Sequence, residues 1–317
     1  MVPAAALVDR FRADLDALSP AHERIGIAVS GGPDSLALLL LAAAARPGQV
    51  EAATVDHALR AESRAEAELV ASTCAQLGVP HTILTAQWRA KPVTAIQEQA
   101  REARYDLLGR WIADRGLYAL ATAHHADDQA ETVLMRLNRG SGLRGLAGIR
   151  AKSTIPGSRL PLIRPLLGWR REELKDVCLT AGLYPIEDPS NADEQFERVR
   201  IRRGLADASW LDGAALAQSA SHLGSADDAL DWMTESMALA RVIDDGDALR
   251  IDPDGLPAEL QRRLLLHVFA RFHAPEPRGP ELTRATAALA GGETVTLSGL
   301  KLQGGPAWRI SKAPPRR

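Results

Sequence analysis

The length, composition and charge of the chain exclude several classes of protein. With 317 residues, of which 46% are hydrophobic and 25% charged, the sequence has the balance of a globular protein of two domains rather than of a disordered, collagenous or coiled-coil chain. The formal net charge of −2 gives no overall attraction to nucleic acid. No apolar run is long enough to span a membrane and the charged N-terminal segment does not resemble a signal peptide, so we expect a cytoplasmic protein.

The cysteine content excludes two further kinds of site. Cys74 and Cys178 are the two cysteines of the chain, and they lie far apart in sequence, each in an apolar segment. We therefore expect no disulfide framework and no zinc or iron–sulfur site built from several thiolates.

Strands alternate with helices along the first part of the chain. Short apolar runs predict strands at residues 24–29, 50–55, 82–84 and 117–123. Apolar periodicity predicts helices at residues 36–45, 62–77, 95–115 and 170–180. This alternation predicts that residues 1–204 form an α/β domain with a doubly wound, mainly parallel sheet, which binds its ligand at the carboxyl ends of the strands.

A second, smaller domain is predicted for residues 205–317. Helical apolar spacing covers residues 214–242 and 260–271, while residues 294–302 and 307–310 alternate as short strands. We therefore predict a mainly helical domain that ends in a β-hairpin. Its sequence contains no motif for chemistry of its own.

A glycine turn between the first predicted strand and the first predicted helix could bind phosphate. The glycines would let main-chain N–H groups approach an anion, serine hydroxyls would add donors, and the helix would present its positive end. Asp34 has the same sign of charge as a phosphate, so a bridging Mg²⁺ would reconcile the two. The alternative is a plain strand-to-helix turn capped by serine. The turn consists of Ser30, Gly31, Gly32, Pro33, Asp34 and Ser35.

A second polar cluster follows the fourth predicted strand. His124, Asp128 and Glu131 recur at i, i+4 and i+7, which places an imidazole and two carboxylates on one face if the segment is helical. Such a face could hold a metal ion or an organic ammonium group. The alternative is that these acids only favour the positive helix end and pair with arginines.

Positive charge is concentrated between Thr132 and Arg171, where Lys and Arg residues recur without a single Asp or Glu. Such a stretch suits a polyanion, and the alternative is a solvated face balanced by acids elsewhere in the fold. Trp169 is its one aromatic residue. A base could therefore stack on arginine planes as readily as on a ring.

These motifs resemble those of a known enzyme family. The turn SGGPDS is similar to the SGGxDS signature of the PP-loop ATP pyrophosphatases, which cleave ATP between its α and β phosphates. Residues 122–148 resemble the signature of the tRNA(Ile)-lysidine synthetase family, and residues 55–60, 100–105 and 187–191 resemble its VDHGLR, AREARY and EDxSN segments.

The resemblance implies a ligase that forms a carbon–nitrogen bond. With ATP and Mg²⁺, it would attach L-lysine to C2 of the wobble cytidine of tRNA(Ile) bearing a CAU anticodon, through an adenylated tRNA. AMP and pyrophosphate would be released, and the codon read would change from AUG to AUA.

The resemblance also suggests which residues act on ATP. The turn of residues 30–35 would bind ATP, with Asp34 orienting Mg²⁺. Arg104, or less favourably Arg101 on the same helix face, would stabilise phosphate charge during adenylation. His124 would lie near the adenylate.

Other residues would bind lysine and tRNA. Asp128 and Glu131 would hold an amino group of lysine, while Arg198 or Arg202 would bind its carboxylate or an RNA phosphate. No residue is assigned as the base that deprotonates the lysine ε-amine. The arginines expected to contact tRNA are Arg136, Arg139 and Arg144.

Two positions depart from the family pattern. Ala58 stands where the family has glycine, and we expect its φ not to be positive because alanine disfavours the left-handed region. Val199 stands where the family often has asparagine, so a polar contact from that side chain is in doubt. We also expect the extra C-terminal domain of the longest family members to be absent or reduced, which leaves residues 205–317 as the expected further tRNA contact.

Three alternatives remain open from the sequence. A PP-loop tRNA thiolase would share the ATP chemistry, but it typically needs paired cysteines. A metal-dependent phosphohydrolase could use His124, His125, Asp127 and Asp128. An RNA-binding module with a decayed nucleotide loop would need no catalysis. The sequence also leaves open a homodimer.

Overall fold

The computed structural model describes residues 2–59, 63–88, 94–183, 195 and 197–314. The chain divides into two compact units, Met1–Gly224 and Ser225–Arg317. No helix in the described part of the chain combines the length and the apolar composition that a transmembrane span requires.

The first unit is built on a six-stranded sheet. Its strands are β1 (Ile25–Ala28), β2 (Val50–Asp56), β3 (His81–Thr85), β4 (Ala119–Ala121), β5 (Lys152–Thr154) and β6 (Pro161–Ile163). They lie in the order β3-β2-β1-β4-β6-β5, and all neighbours are parallel except β5 and β6. The predicted α/β domain with a mainly parallel sheet is therefore confirmed. The short antiparallel pair of β5 and β6 was not predicted.

Helices cover both faces of this sheet. The helices of the first unit up to residue 207 are α1 (Ala5–Asp16), α2 (Pro33–Ala45), α3 (Ser63–Gln76), α4 (Ile96–Asp114), α5 (Ala126–Asn138), α6 (Leu143–Leu146), α7 (Arg171–Thr180) and α8 (Glu197–Asp207). Helices α1, α2 and α7 contribute to the core on one side and α4 to the core on the other. Helix α2 is buried along most of its length because α1 and α7 pack against it. This explains its continuous run of leucine and alanine, since a helix that is apolar all round must be enclosed.

Alternate residues of β1 face opposite cores. Ile25 and Ile27 belong to the core that contains α1, α2 and α7, whereas Ala28 packs with the α4 side. A Cβ added at Gly26 would lie 2.3 Å from Ile112 Cδ1 and 2.5 Å from Trp111 Cζ3. Glycine at this position therefore allows α4 to lie close to the sheet.

The second unit contains a five-stranded antiparallel sheet. Its strands are β7 (Val242–Asp245), β8 (Ala248–Ile251), β9 (Thr294–Leu297), β10 (Leu300–Gln303) and β11 (Trp308–Lys312), in the order β7-β8-β11-β10-β9. Its helices are α10 (Ala258–Arg271), α11 (Gly279–Ala290) and the end of α9 (Gly213–Arg241). One apolar core lies between these helices and the sheet.

The prediction of a mainly helical second domain is wrong. The hairpin of β7 and β8 was missed because its strands have four residues each and carry several charges. Residues 294–302 form a hairpin rather than one strand, because the chain turns at Ser298 and Gly299, which have φ of 45° and 80°. The boundary expected after residue 204 falls inside α8, and the two compact units divide within α9.

Candidate active site

The two sequence motifs meet at one edge of the first sheet. Strands β1 and β4 are parallel neighbours, and the turn of residues 30–35 follows one while residues 122–125 follow the other. The chain builds outward through β2 and β3 on one side of β1 and places β4 on the other side. In an open α/β sheet, ligands bind outside the carboxyl ends of the strands at such a switch point.

The turn after β1 comprises residues 30–35, and we name it the ATP loop after the ligand that the family resemblance predicts for it. Gly31 has φ of 89°, a conformation that favours glycine, and Pro33 occupies the first turn of α2. The buried Ser35 hydroxyl donates to the Gly32 carbonyl oxygen at 2.9 Å and accepts from the Ser30 N–H at 3.1 Å. The Ser35 hydroxyl therefore holds the loop in its folded shape.

A cavity of about 430 Å³ opens beside the ATP loop, a volume that suits a small organic ligand. Ser30, His57 and Arg104 contribute to its lining. Burial lowers the pKa of the Arg104 guanidinium, and the charge of Arg101 lowers it further, but within the described ranges no carboxylate pairs with Arg104. Arg101 itself is exposed and lies 5.0 Å from the centroid of the Tyr105 ring. Arg104 is thus the arginine of α4 that lines this cavity.

His125 connects the ATP loop to α5. The imidazole is buried, and its Nε2 atom lies 3.5 Å from Asp34 Oδ2 and 3.5 Å from Asp128 Oδ2. Its Nδ1 atom lies 3.4 Å from Asp127 Oδ2. Burial alone would lower the pKa of His125, but the nearby carboxylates of Asp127, Asp34 and Asp128 raise it to about 10. A buried imidazolium therefore lies between three carboxylates.

His124, in contrast, is uncharged at neutral pH. Its Nδ1 atom lies 3.0 Å from Thr122 Oγ1, and burial together with the charges of Arg164, Arg104 and Arg198 lowers its pKa to about 4, although Asp128 opposes the shift. Because α5 begins at residue 126, His124 lies before the helix and not on a helical face. The expected helical face with Asp128 and Glu131 is wrong in this respect.

Sequence reasoning missed two histidines of the site. The sequence suggests His125 only as a metal ligand of the phosphohydrolase alternative, and nothing in residue spacing distinguishes it from His124. His57 lies in the segment of residues 55–60 that resembles the family, but its spacing does not mark it as a site residue. Its Nδ1 atom is buried and has no hydrogen-bond partner within the described residues, and its side chain lines the cavity.

Glu131 joins α5 to α8. The carboxylate is buried and accepts from Arg202 Nε at 2.6 Å, while Arg198 Nε lies 3.2 Å from its other oxygen. Burial lowers the pKa of Arg202, but Glu131, Asp128 and Asp34 together raise it above its ordinary value. The residues expected to bind lysine therefore do come together. For Glu131, the alternative of an acid paired with arginines is what the structure shows.

The expected tRNA-binding arginines have different surroundings. Arg136 Nη1 donates to the carbonyl oxygens of Gly145 and Gly148 at 2.7 and 2.8 Å, so this side chain holds the glycine-rich segment in place. Arg139 is exposed and pairs with Glu197. Arg144 is exposed on α6.

Trp169 cannot serve as a stacking platform. Its side chain is fully buried, its indole N–H donates to Asp14 at 2.8 Å, and the Arg10 guanidinium lies 4.1 Å from the ring centroid on one face. The basic stretch is also partly structural, because the buried Arg164 donates to the Arg150 carbonyl oxygen at 2.6 Å. Stacking on Trp169, one of two options from the sequence, is therefore ruled out.

Ala58 has a φ of 52°, so the expectation that its φ would not be positive is wrong. Its N–H donates to Asp56 Oδ1 at 2.8 Å, and the Ser63 hydroxyl donates to the same oxygen at 2.6 Å. The buried Asp56 carboxylate thus holds the turn that follows β2. Residues 60 and 187–191, which contributed to the resemblance, lie outside the described residues.

Comparison with known proteins places this site in a family. A PP-loop domain profile matches residues 6–209. The chain is 49% identical over 310 residues to a tRNA(Ile)-lysidine synthase of Novosphingobium aromaticivorans, an alignment that covers 97% of this chain and 94% of the relative. It is 44% identical to the tRNA(Ile)-lysidine synthase of Zymomonas mobilis, with 94% of this chain and 91% of the relative covered. The chain belongs to the tRNA(Ile)-lysidine synthase family. Its members are carbon–nitrogen ligases, and the PP-loop domain implies ATP as a substrate.

A solved structure confirms the fold of this tRNA(Ile)-lysidine synthase family member. The U34-tRNA thiolase NcsA from Methanococcus maripaludis matches with a TM-score of 0.56 and 15% identity, covering 68% of this chain and 78% of that chain. At this identity the likeness concerns the fold alone.

Membership in the tRNA(Ile)-lysidine synthase family overturns the thiolase, phosphohydrolase and non-catalytic alternatives. The two cysteines agree with this outcome, because both are buried and burial raises the pKa of each thiol to about 12. Within the described residues, no group of three or more His, Cys, Asp and Glu side chains is arranged to hold a metal ion.

Proposed function

We propose that this chain attaches L-lysine to C2 of the wobble cytidine of tRNA(Ile) bearing a CAU anticodon, through an adenylated tRNA. The observation that carries the proposal is the contact between the two motifs, in which His125 Nε2 lies 3.5 Å from Asp34 of the ATP loop and 3.5 Å from Asp128 of α5. A site for the triphosphate and a site for an ammonium group are thereby adjacent. Two successive steps on one base require this arrangement.

In the first step, the C2 oxygen of cytidine attacks the α-phosphorus of ATP. The bond between the α-phosphorus and the bridging oxygen breaks, and pyrophosphate leaves. Main-chain N–H groups of the ATP loop and the positive end of α2 would bind the phosphates. Arg104 would neutralise charge that develops on the phosphoryl oxygens, and the neutral His124 would lie beside the adenylate.

Asp34 would orient Mg²⁺. Its Oδ1 atom is buried and has no hydrogen-bond partner within the described residues, which fits a carboxylate oxygen that binds a cation. Bound Mg²⁺ would offset the negative charge of the triphosphate. The His125 imidazolium would keep the other oxygen of Asp34 oriented at 3.5 Å.

In the second step, the uncharged ε-amine of lysine attacks C2, the bond from C2 to the oxygen of AMP breaks, and AMP leaves. The attacking nitrogen gives up a proton, and we assign no side chain as the base that takes it. Asp128 would hold an amino group of lysine, and Arg198 or Arg202 would bind its carboxylate. We assign Glu131 the positioning of these two arginines, because both of its oxygens are already engaged by them.

The tRNA contact rests on exposed arginines. We assign it to Arg139 and Arg144, which are exposed, and we assign Arg136 the role of holding the segment of residues 145–148 that follows Arg144. Phosphate contacts of this kind fix the position of an RNA without reading its sequence.

Incorporation of lysine into RNA tests the proposed function. The purified chain would be incubated with ATP, Mg²⁺, labelled lysine and an unmodified tRNA(Ile) transcript bearing CAU, with elongator tRNA(Met) as the control that carries the same anticodon. We expect label to enter the isoleucine transcript alone. Pyrophosphate release without incorporation would show that the acceptor is wrong, and the absence of both would contradict the proposed reaction.

A further inference from the structure

An exposed tryptophan lies on the loop that joins α8 to α9. Trp210 exposes 83% of its surface, whereas the tryptophan of the basic stretch, Trp169, is fully buried. Its neighbours in the loop are Ser209, which is exposed, and Leu211, which is half-buried. A single exposed apolar side chain is common on protein surfaces, so the place of this ring in the fold decides whether it has a role.

The direction of α8 places this loop near the active site. The first residue of α8, Glu197, pairs with Arg139 just beyond the C-terminal end of α5, while Arg202 further along α8 pairs with Glu131 in the middle of α5. The two helices are therefore antiparallel. The C-terminal end of α8 points to the N-terminal end of α5, where Asp128 lies.

Two contacts beyond α8 confirm the position of the loop. A Cβ added at Gly213 would lie 3.7 Å from the Cβ of Ala130 on α5. Arg170, which precedes α7, lies 3.9 Å from Asp212. Arg171, the residue after Arg170, donates its main-chain N–H to Asp127 at 2.9 Å. The loop that carries Trp210 thus borders the first turns of α5 and α7.

The side chains around this loop include both arginines and acids. The arginines of α8 and of the start of α7 lie among Glu172, Glu173, Asp207 and Asp212, and Asp212 lies 3.9 Å from Arg170. The partner of Trp210 is therefore inferred from the place of the ring beside the proposed site and not from net charge. Unpaired nucleotides suit a ring that has arginines nearby, because their bases stack on aromatic rings while their phosphates face arginine. The arginines are Arg170, Arg171, Arg198, Arg200, Arg202 and Arg203.

We propose that Trp210 is the platform on which an unpaired base of the anticodon loop stacks while the wobble cytidine occupies the active site. The identity of this RNA rests on the proposed function. Stacking would hold the flanking nucleotide and thereby fix the position of the cytidine taken out of the loop. Trp210 is a binding residue in this account and takes no part in the chemical steps.

Binding of the RNA in the absence of ATP and lysine tests the stacking independently of the reaction. An anticodon stem-loop of tRNA(Ile) would be titrated against the full chain and against Trp210→Ala and Trp210→Phe. We expect Trp210→Ala to bind about tenfold more weakly, which corresponds to about 1.4 kcal/mol, and Trp210→Phe to retain most of the affinity. In turnover, the KM for tRNA should rise while the KM for lysine stays unchanged.

An abasic series identifies the stacked base. Each unpaired nucleotide of the stem-loop would be made abasic in turn, and we expect the penalty of Trp210→Ala to disappear for one of them. Leu179→Ala is the control, because Leu179 is a 58% exposed apolar residue of the first unit at the C-terminal end of α7, whereas the loop of Trp210 borders the first turn of that helix. Equal affinity of Trp210→Ala and the unaltered chain would overturn the proposal, as would an equal loss in Leu179→Ala. A change of oligomeric state in Trp210→Ala without a change in RNA affinity would show instead that this ring covers a second copy.

Discussion

Two adjacent histidines at the start of α5 have pKa values that shift in opposite directions. His125 is surrounded by Asp34, Asp127 and Asp128, which raise its pKa to about 10 despite burial. His124 is half-buried near three arginines, and its pKa falls to about 4. The sequence predicts a polar cluster here, but it cannot predict which imidazole is charged. That depends on side chains brought in by the ATP loop, α4 and α8.

The pKa of His124 predicts a pH dependence of stability. Between pH 6.5 and about 4, the unfolded chain binds a proton at this histidine and the folded chain does not, so the contribution of His124 to stability is lost as the pH falls through this range. The loss relative to His124→Gln should reach at most about 3 kcal/mol. Urea unfolding of both proteins at pH 7, 6 and 5 measures it. A difference between the two proteins that is independent of pH would contradict the assigned charge state.

At the scale of elements, the turn between β2 and α3 shows how a side chain can hold a strained backbone. Ala58 adopts φ of 52° because Asp56 Oδ1 accepts its N–H and also binds Ser63 at the start of α3. Sequence reasoning expected alanine to avoid this conformation. It could not include the buried carboxylate that compensates for the strain.

Replacing Ala58 by glycine should stabilise the fold. Glycine adopts positive φ without the Cβ clash, so we expect Ala58→Gly to raise the free energy of unfolding by about 1 kcal/mol. The matched control is Ala229→Gly, the same change at an exposed position in the middle of α9, which should lower it by about 1 kcal/mol. Equal effects of the two substitutions in chemical denaturation would show that Ala58 is not strained.

Elements of the first unit follow from the sequence to different degrees. The buried run of α2 and the parallel strands β1 to β4 are recognisable because apolar periodicity reports burial directly. Strands β5 and β6 have three residues each, which is too few for the alternation of apolar and polar residues to be recognised. The pairing of Glu131 with Arg198 and Arg202 is a contact between distant segments, which spacing within one helix cannot reveal.

At the scale of the whole molecule, the prediction was better for the first unit than for the second. The first unit contains motifs whose chemistry fixes their place at the carboxyl edge of a parallel sheet. The second lacks such motifs, and its short charged strands resemble loops in sequence. The exposure of the tryptophans could not be predicted from the sequence either, since nothing in it distinguishes the buried Trp169 from the exposed Trp210.

In the proposed function, ATP and lysine bind to two adjacent but separable parts of one site. Asp34 belongs to the ATP loop and Asp128 to the proposed lysine site, although both contact His125. Substitution of Asp34 should therefore block both chemical steps. Substitution of Asp128 by asparagine keeps an oxygen that can accept the His125 N–H, and should affect mainly the second step.

The most direct test measures pyrophosphate release and lysine incorporation in parallel, with tRNA(Ile), for the unaltered chain, Asp34→Ala and Asp128→Asn. We predict that Asp34→Ala loses both signals. We predict that Asp128→Asn releases pyrophosphate and accumulates adenylated tRNA in a single turnover, while lysine incorporation falls about tenfold or more. If Asp128→Asn lost pyrophosphate release to the same degree as lysine incorporation, the division of the site into an ATP part and a lysine part would be contradicted.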